Sequence, residues 1–232
     1  MRYCIGDVHG CYKTLTELIQ KINKTDNEAV FYFVGDNIDR GPNSKSVLDF
    51  LMDLKSEILH SFAIKGNHEQ MLLDAYKNDI SFNETMWYVN NAEPTVNSFS
   101  IESYYYKNTK NLIPTNYFEF INKLPYYIEL EDFIIVHAGF NFHIEDPFSD
   151  KESMLWTREE IYIPEKIKGK KIIHGHTPIS LKRLSENLEN KNLNIIDVDT
   201  GCVYNQYPGY GYLSAFNLDK FELIYTKNVD IN

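Results

Sequence analysis

The stretch Val34–Pro42 reads VGDNIDRGP and follows a continuous apolar run that begins at Ala29. Such a run is typical of a strand that is buried on both faces of a sheet. Asp36 and Asp39 then lie three residues apart between two glycines, and Arg40 follows directly. A simple turn does not need three charged side chains, so the stretch predicts a strand with a functional loop at its carboxyl end.

The same order of strand, polar loop and helix occurs on both sides of this stretch. Before it, a strand at Tyr3–Gly6 leads into GDVHG, and apolar residues from Leu15 to Ile22 have helical spacing. After it, helical spacing continues from Val47 to Leu54, and a strand at Leu59–Ile64 ends in KGNHE. Three such units in succession predict an α/β sheet whose polar residues gather at the carboxyl ends of its strands.

The second half of the chain has a different pattern. Residues 78–125 are rich in Asn, Ser and Tyr and have one clear helical segment, Tyr117–Asn122. We therefore expect a single domain over residues 1–232, with a cap-like insertion at about 78–125. Later strands are predicted at Tyr126–Leu130, Phe133–His137, Lys171–His174, Asn194–Val198, Gly211–Asn217 and Phe221–Tyr225.

Composition excludes several classes of protein. The chain has 232 residues and a formal net charge of −10, which argues against stable binding of nucleic acid. Its sequence offers neither an apolar membrane span nor a signal peptide. The three cysteines cannot form a disulfide framework and lack metal-ligand spacing, so we expect buried thiols and a cytoplasmic protein.

Oxygen and imidazole ligands recur where the predicted strands end. Asp7 and His9 lie two residues apart between glycines, a spacing at which both can bind one cation. One such pair is more often a solvated turn, but the pattern occurs at five strand ends. The residues concerned are Asp7, His9, Asp36, Asp39, Asn67, His68, His137 and His176. Their coincidence predicts a metal centre at one edge of a sheet.

The motifs GDVHG, GDNIDRG, GNHE, HAG and GHT occur here in the order found in calcineurin-like metallophosphoesterases. The chain resembles the phosphoprotein phosphatase branch, including small bacterial and phage serine/threonine phosphatases and bacterial symmetrical dinucleoside-tetraphosphatases. The resemblance covers roughly Tyr3 to Tyr204. It implies a four-layer α/β/β/α sandwich built from two mixed sheets.

The resemblance also implies two divalent metal ions bridged by Asp36. One would be held by Asp7, His9 and Asp36, and the other by Asp36, Asn67, His137 and His176. Two such ions exceed the charge of the two ligand carboxylates, which favours a bound phosphoryl group and an activated water. Oxygen and imidazole ligands suit Mn²⁺, with Fe or Zn²⁺ as alternatives.

Four further roles follow from the same resemblance. A metal-bridging hydroxide would attack phosphorus, and His68 would be the general acid that protonates the leaving oxygen. Asp39 would accept a hydrogen bond from His68 and orient it. Arg40 and Arg158 would bind the phosphoryl oxygens, with a surface ion-pair role as the less favoured alternative for Arg158. For His174 we favour a structural role.

The expected substrate is a phosphomonoester, most of all phosphoserine or phosphothreonine in a protein. The alternative is symmetrical hydrolysis of bis(5'-nucleosyl) tetraphosphates, and a catalytically silent metal-binding scaffold ranks third. Pro178 stands where related nucleases have a second histidine, which disfavours a nuclease. Two departures bear on substrate choice: Asn37 replaces an aromatic residue, and NQYPGYGY at 205–212 replaces a glycine-rich segment.

Overall fold

The computed structural model of the protein describes residues 1–53, 61–77, 81–99, 113–159, 161–190 and 192–231, without the side chains of residues 81 and 82. His60, the Tyr104–Tyr106 run and the start of the third predicted strand lie outside these ranges. No helix within them is long and apolar enough to cross a membrane.

These described ranges contain nine strands and eight α-helices. The strands are β1 (Arg2–Ile5), β2 (Val30–Phe33), β3 (Ser61–Ala63), β4 (Tyr127–Glu129), β5 (Phe133–Val136), β6 (Lys171–His174), β7 (Ile195–Asp197), β8 (Tyr212–Asn217) and β9 (Glu222–Lys227). The helices are α1 (Tyr12–Asn23), α2 (Ser44–Asp53), α3 (Asn67–Lys77), α4 (Ser81–Val89), α5 (Glu93–Ser98), α6 (Thr115–Asn122), α7 (Lys151–Trp156) and α8 (Leu181–Glu189).

The strands form two mixed sheets, as the family resemblance implies. The first has the order β3-β2-β1-β8-β9, in which β1, β2 and β3 are parallel and β8 is antiparallel to both of its neighbours. The second has the order β4-β5-β6-β7, with β5, β6 and β7 parallel and β4 antiparallel. The parallel strands of both sheets therefore carry the predicted site loops at their carboxyl ends.

Alternate residues of β1 face different layers. Tyr3 and Ile5 pack into a core shared with α1 and α2, whereas Cys4 packs into the space between the two sheets. Ile135 of the second sheet meets Cys4 in that inner layer, and its neighbour Ile134 faces an outer layer with Met154 of α7. This alternation of period two is what a sheet buried on both faces requires. It confirms the α/β sandwich of two packed mixed sheets.

Residues from the predicted cap pack against the same core as α1. Trp87 of α4 and Val96 of α5 are fully buried in it, as are Phe120 and Ile121 of α6 at 8% and 0% exposure. Sequence reasoning located α6 but not α4 or α5, because their apolar residues are interleaved with Asn, Glu and Thr. The division of the chain into one domain with a cap stays a prediction.

Candidate metal centre

The predicted site residues follow five parallel strands. Asp7 and His9 come after β1, Asp36 after β2, and Asn67 opens α3 after β3. In the second sheet, His137 directly follows β5 and His176 lies two residues beyond β6. Because the carboxyl ends of parallel strands meet at one edge, both sheets deliver these side chains to one place.

Backbone conformation at the site is unusual. Five residues there adopt a left-handed φ although none is glycine: His9 at 46°, Asp36 at 49°, Asp39 and Arg40 at 68°, and His176 at 72°. Each such residue costs of order 1–3 kcal/mol relative to ordinary backbone. Surrounding hydrogen bonds hold two of these turns, since His9 N–H donates to Asp36 O at 2.8 Å and Arg40 N–H donates to Asn91 O at 2.9 Å.

Asp36 stands between two groups of metal-ligand atoms. His9, Asp36 and His68 form one group, and Asp36, His137 and His176 form the other. His9 Nε2 lies 3.6 Å from Asp36 Oδ2, and His137 Nε2 lies 3.4 Å from Asp36 Oδ1. The two carboxylate oxygens of Asp36 thus face different groups, the geometry expected of a bridging ligand. The structure places His68 within the first group, where the resemblance implied Asp7.

Asn67 completes the second group. Its Oδ1 lies 2.8 Å from His137 Nε2 and 3.0 Å from His176 Nδ1. His137 donates its Nδ1–H to Val34 O, 2.9 Å away, so Nε2 is the ring nitrogen directed into the site. Oxygens of Asn67 and Asp36 converge on this nitrogen, an arrangement in which a cation could replace the Nε2 proton.

Hydrogen bonding and charge at the site fit metal ions. Asp7 Oδ1 and His176 Nε2 are buried and have no hydrogen-bond partner in the structure. Burial and the nearby carboxylates Asp199 and Asp36 raise the pKa of Asp7 well above its usual value. Burial lowers the pKa of His176 to about 3, so its imidazole is neutral and can act as a ligand. Bound cations would relieve the crowding of buried carboxylates.

The charge on Asp36 is supported by its neighbours. Burial alone would raise its pKa, but His137 and His68 outweigh that effect and hold the pKa well below its usual value. His9 is favoured in its neutral form, because burial and the Arg40 guanidinium keep its pKa well below the ordinary range. Asp36 in turn outweighs the effect of burial on His137 and raises the pKa of that imidazole. A divalent cation bound between Asp36 and His137 would take the place of the imidazole proton.

Glu69 organises the loop that carries Asp36, a role that sequence reasoning missed. It is fully buried and accepts the backbone N–H groups of Asp36 at 2.9 Å, Asn37 at 2.7 Å and Gly66 at 2.8 Å. Gly66 permits this approach, because a Cβ there would lie within 2.2 Å of Asp36 Oδ1. Glu69 is the last residue of the GNHE motif, so the sequence contained the signal.

His68 is oriented by a buried carboxylate. Its Nδ1 lies 2.7 Å from Asp39 Oδ2, while its Nε2 is buried without a hydrogen-bond partner, 4.0 Å from Asp36 Oδ2. Trp87 Nε1–H donates to Asp39 Oδ2 at 2.8 Å, and Thr95 Oγ1–H donates to Asp39 Oδ1 at 2.6 Å. Helices α4 and α5 therefore hold Asp39 in place. Trp87 and Thr95 lie at the two ends of the segment WYVNNAEPT, residues 87–95, and only the contacts reveal that this segment supports Asp39.

The two predicted phosphate-binding arginines differ in position. Arg40 is partly buried and donates from Nη1 to His9 Nε2 at 2.7 Å, so it lies directly beside the metal-ligand atoms. Arg158 is exposed, and its Nη1 lies 3.3 Å from Thr177 Oγ1, next to His176. Arg158 is thus at the rim of the site, from which a long side chain can reach a bound phosphate.

The structure also shows the environment of the other residues that the sequence analysis singled out. Asn37, expected at a pocket wall, is fully buried and uses its backbone N–H to bond Glu69, so it cannot contact substrate directly. His174 is buried with Nδ1 2.9 Å from Gly175 O and is in neither ligand group, which agrees with a structural role. Cys4, Cys11 and Cys202 are free and buried, as expected.

The chain also resembles a known protein family. Residues 3–222 match the family described as calcineurin-like phosphoesterase. The chain belongs to this family. The matched residues include all the strands that deliver the candidate ligands.

Three similar proteins are named as tetraphosphatases. The chain is 28% identical to bis(5'-nucleosyl)-tetraphosphatase PrpE [asymmetrical] of Oceanobacillus iheyensis, over 90% of this chain and 87% of that protein. A symmetrical bis(5'-nucleosyl)-tetraphosphatase of Coxiella burnetii is 45% identical, but over only 31% of this chain and 23% of that protein. A solved structure of a candidate diadenosine tetraphosphatase superposes with a TM-score of 0.67 at 20% identity, covering 98% of this chain and 93% of that one.

Proposed function

We propose that this chain hydrolyses dinucleoside tetraphosphates at a centre of two divalent metal ions. The observation that carries the proposal is the pair of ligand groups that share Asp36, with Arg40 beside them. The substrate class is supported by the tetraphosphatases among the relatives. These relatives favour the alternative substrate of the sequence analysis over the phosphoprotein that it ranked first.

Divalent cations held at this centre would neutralise phosphoryl charge and lower the pKa of a water molecule. His9 and Asp36 would hold one cation, and Asp36, His137 and His176 would hold the other. Asp7, whose Oδ1 is buried without a partner, would join the first set, and Asn67 Oδ1 would join the second. Mn²⁺ remains the preferred ion, because the donors are oxygen and imidazole without thiolate.

The protein's own groups then act on the phosphate chain. Arg40 donates N–H groups from the buried side of the site, and Arg158 does so from its rim. His68 holds its Nδ1 proton against Asp39, so its Nε2 is the nitrogen that can give a proton to the leaving oxygen. Asp39 positions His68, and Trp87 and Thr95 position Asp39.

The proposal is tested by comparing kcat/KM for diadenosine tetraphosphate with that for a phosphoserine peptide, both with Mn²⁺ present. We expect the dinucleotide to be preferred by about 100-fold, which corresponds to about 2.7 kcal/mol of transition-state discrimination. Preference for the peptide would instead favour the phosphoprotein phosphatase function that the sequence analysis ranked first. A protein with neither activity after metal addition would support the silent scaffold.

Product analysis of the same reaction locates the cleaved bond. Two ADP molecules indicate symmetrical hydrolysis, whereas AMP and ATP indicate asymmetrical hydrolysis. Both kinds of enzyme occur among the relatives, so this measurement decides between them for this chain.

A further inference from the structure

An aromatic groove lies beside the candidate metal centre. It is lined by Pro178, Tyr204, Tyr207, Pro208 and Tyr210 and has a volume of about 380 Å³. Ligand sites for small molecules commonly measure ~300–1,000 Å³. We refer to these five residues as the tyrosine groove. Four of them come from NQYPGYGY and the residue just before it, where the chain departs from the glycine-rich segment of its relatives.

The backbone builds this groove by a regular arrangement of turns. Tyr207 N–H donates to Tyr204 O at 3.0 Å, and Tyr210 N–H donates to Tyr207 O at 3.2 Å, so three tyrosines recur at intervals of three. Gly201 lies beneath them with φ +63°, and a Cβ there would approach Tyr210 Cδ1 to 2.9 Å and Tyr204 Cδ2 to 3.0 Å. The turns therefore place the three tyrosines close together, with the Tyr204 and Tyr210 rings next to Gly201.

The tyrosine groove is continuous with the phosphate-binding side of the site. Arg40 lies over the Tyr204 ring with Cζ 5.8 Å from its centroid, while its Nη1 contacts His9. The Tyr207 ring lies next to the Tyr204 ring, with the two centroids 6.1 Å apart. Tyr207 is 56% exposed, which leaves part of its ring surface open to a ligand.

We propose that the tyrosine groove binds a nucleobase of the dinucleoside polyphosphate by stacking, while the attached phosphates extend past Arg40 to the metal centre. This inference rests on the proposed function. The described residues that line the groove are tyrosines and prolines, which suits a flat, neutral base. Stacking on aromatic side chains does not discriminate strongly among bases, so adenine and guanine dinucleotides should both be accepted.

The test uses Tyr207→Ala and two substrates, diadenosine tetraphosphate and inorganic tetraphosphate. Loss of the Tyr207 ring should lower the ratio of kcat/KM for the dinucleotide to that for inorganic tetraphosphate by ~10-fold, mainly through KM. Tyr207→Phe keeps the ring and should restore the ratio. Tyr225→Ala is the matched control, because Tyr225 is 41% exposed on β9 and lines no part of the groove.

Inhibition provides a second readout that does not require dinucleotide turnover. With a simple phosphomonoester as substrate, AMP should inhibit the unaltered protein more strongly than inorganic phosphate does. Tyr207→Ala should abolish that difference, and Tyr225→Ala should preserve it.

The outcomes separate the two proposals. If the unaltered protein does not hydrolyse the dinucleotide, the proposed function fails, and the inhibition assay still tests the groove. If the dinucleotide is hydrolysed but Tyr207→Ala keeps the substrate ratio within twofold, the groove proposal is wrong. A variant that loses phosphopeptide turnover alone would make the groove a peptide site, which also overturns the proposal.

Discussion

At the scale of single residues, the charged loop after β2 divides into different tasks. Asp36 faces both ligand groups, Asp39 bonds His68 and is itself in neither group, and Arg40 contacts His9 and the Tyr204 ring. Left-handed backbone at all three allows one short turn to aim three charged side chains in three directions. Adjacent charges in the sequence are thus separated in space.

Replacement of His68 by Asn tests the general acid. The variant should hydrolyse substrates with poor leaving groups about 10²–10⁴-fold more slowly, because no group then protonates the departing oxygen. Steady-state kinetics, with metal content measured in parallel, should show the loss at unchanged metal occupancy. His143→Asn is the control, since the His143 side chain is 68% exposed and pairs with Glu159. An unaltered rate in His68→Asn would remove the acid role.

Replacement of Glu69 by Gln tests its role in the Asp36 loop. Three backbone N–H groups depend on its carboxylate, and the amide nitrogen of Gln cannot accept any of them. Leaving one buried N–H unpaired should lower the free energy of unfolding by ~1–3 kcal/mol. Urea denaturation measures this effect, with Glu186→Gln as control because its side chain is 59% exposed. Equal stability of the two variants would contradict the role.

At the scale of elements, short helices anchor the site from outside the sheets. Helix α7 begins after Asp150, whose carboxylate accepts Ser153 N–H at 3.0 Å and Asn141 Nδ2–H at 3.0 Å. Met154 of α7 accepts the N–H of Ala138 at 2.8 Å, directly after His137. The Asp150 cap therefore links α7 to the loop that carries a candidate ligand.

Asp150→Ala should destabilise the fold by ~0.5–2 kcal/mol through loss of the helix cap. Hydrogen bonds from Ser153 and Asn141 lower the pKa of Asp150 below its usual value. Its contribution is therefore complete above the unfolded-state pKa, near 3.9, and is lost as pH falls through the lower folded-state pKa. Unfolding at a series of pH values should show the difference between the two proteins shrinking below about pH 4, whereas exposed Glu145→Ala shows little difference throughout.

At the scale of the whole molecule, the metal ions are expected to stabilise the fold as well as catalyse. Asp7, Asp36 and Asp199 are all buried at the junction of the two sheets. Burial, opposed in part by the Gly201 N–H, raises the pKa of Asp199 to about 6, and repulsion from Asp36 adds to the rise. Cations that bind only the folded chain shift its unfolding equilibrium.

Removal of metal by a chelator should abolish hydrolysis and lower the thermal midpoint. Readdition of Mn²⁺ to 100 times its dissociation constant should recover about 2.7 kcal/mol of stability. Calorimetry with metal analysis measures this recovery. Asp36→Asn, which weakens the ligand that both groups share, should show little recovery. Identical recovery in Asp36→Asn would mean that the stabilising ion binds elsewhere.

Much of this site could be predicted because its chemistry follows chain order. Each ligand motif comes directly after an apolar strand, and parallel strands place their carboxyl ends at one edge whatever their separation in sequence. The α/β class and the gathering of polar residues at strand ends therefore follow from the residue pattern, whereas the two mixed sheets were expected from the family resemblance.

Tertiary structure alone decided which residues support those ligands. Trp87 and Thr95 reach Asp39 across 48 and 56 residues, and no periodicity in the sequence indicates such contacts. Left-handed backbone at Asp36 and Arg40 is likewise set by hydrogen bonds between separate loops and by Glu69. The local sequence pattern determines where strands end, because a strand end depends on residues that are neighbours in the chain. The orientation of each side chain depends on partners that only folding brings together.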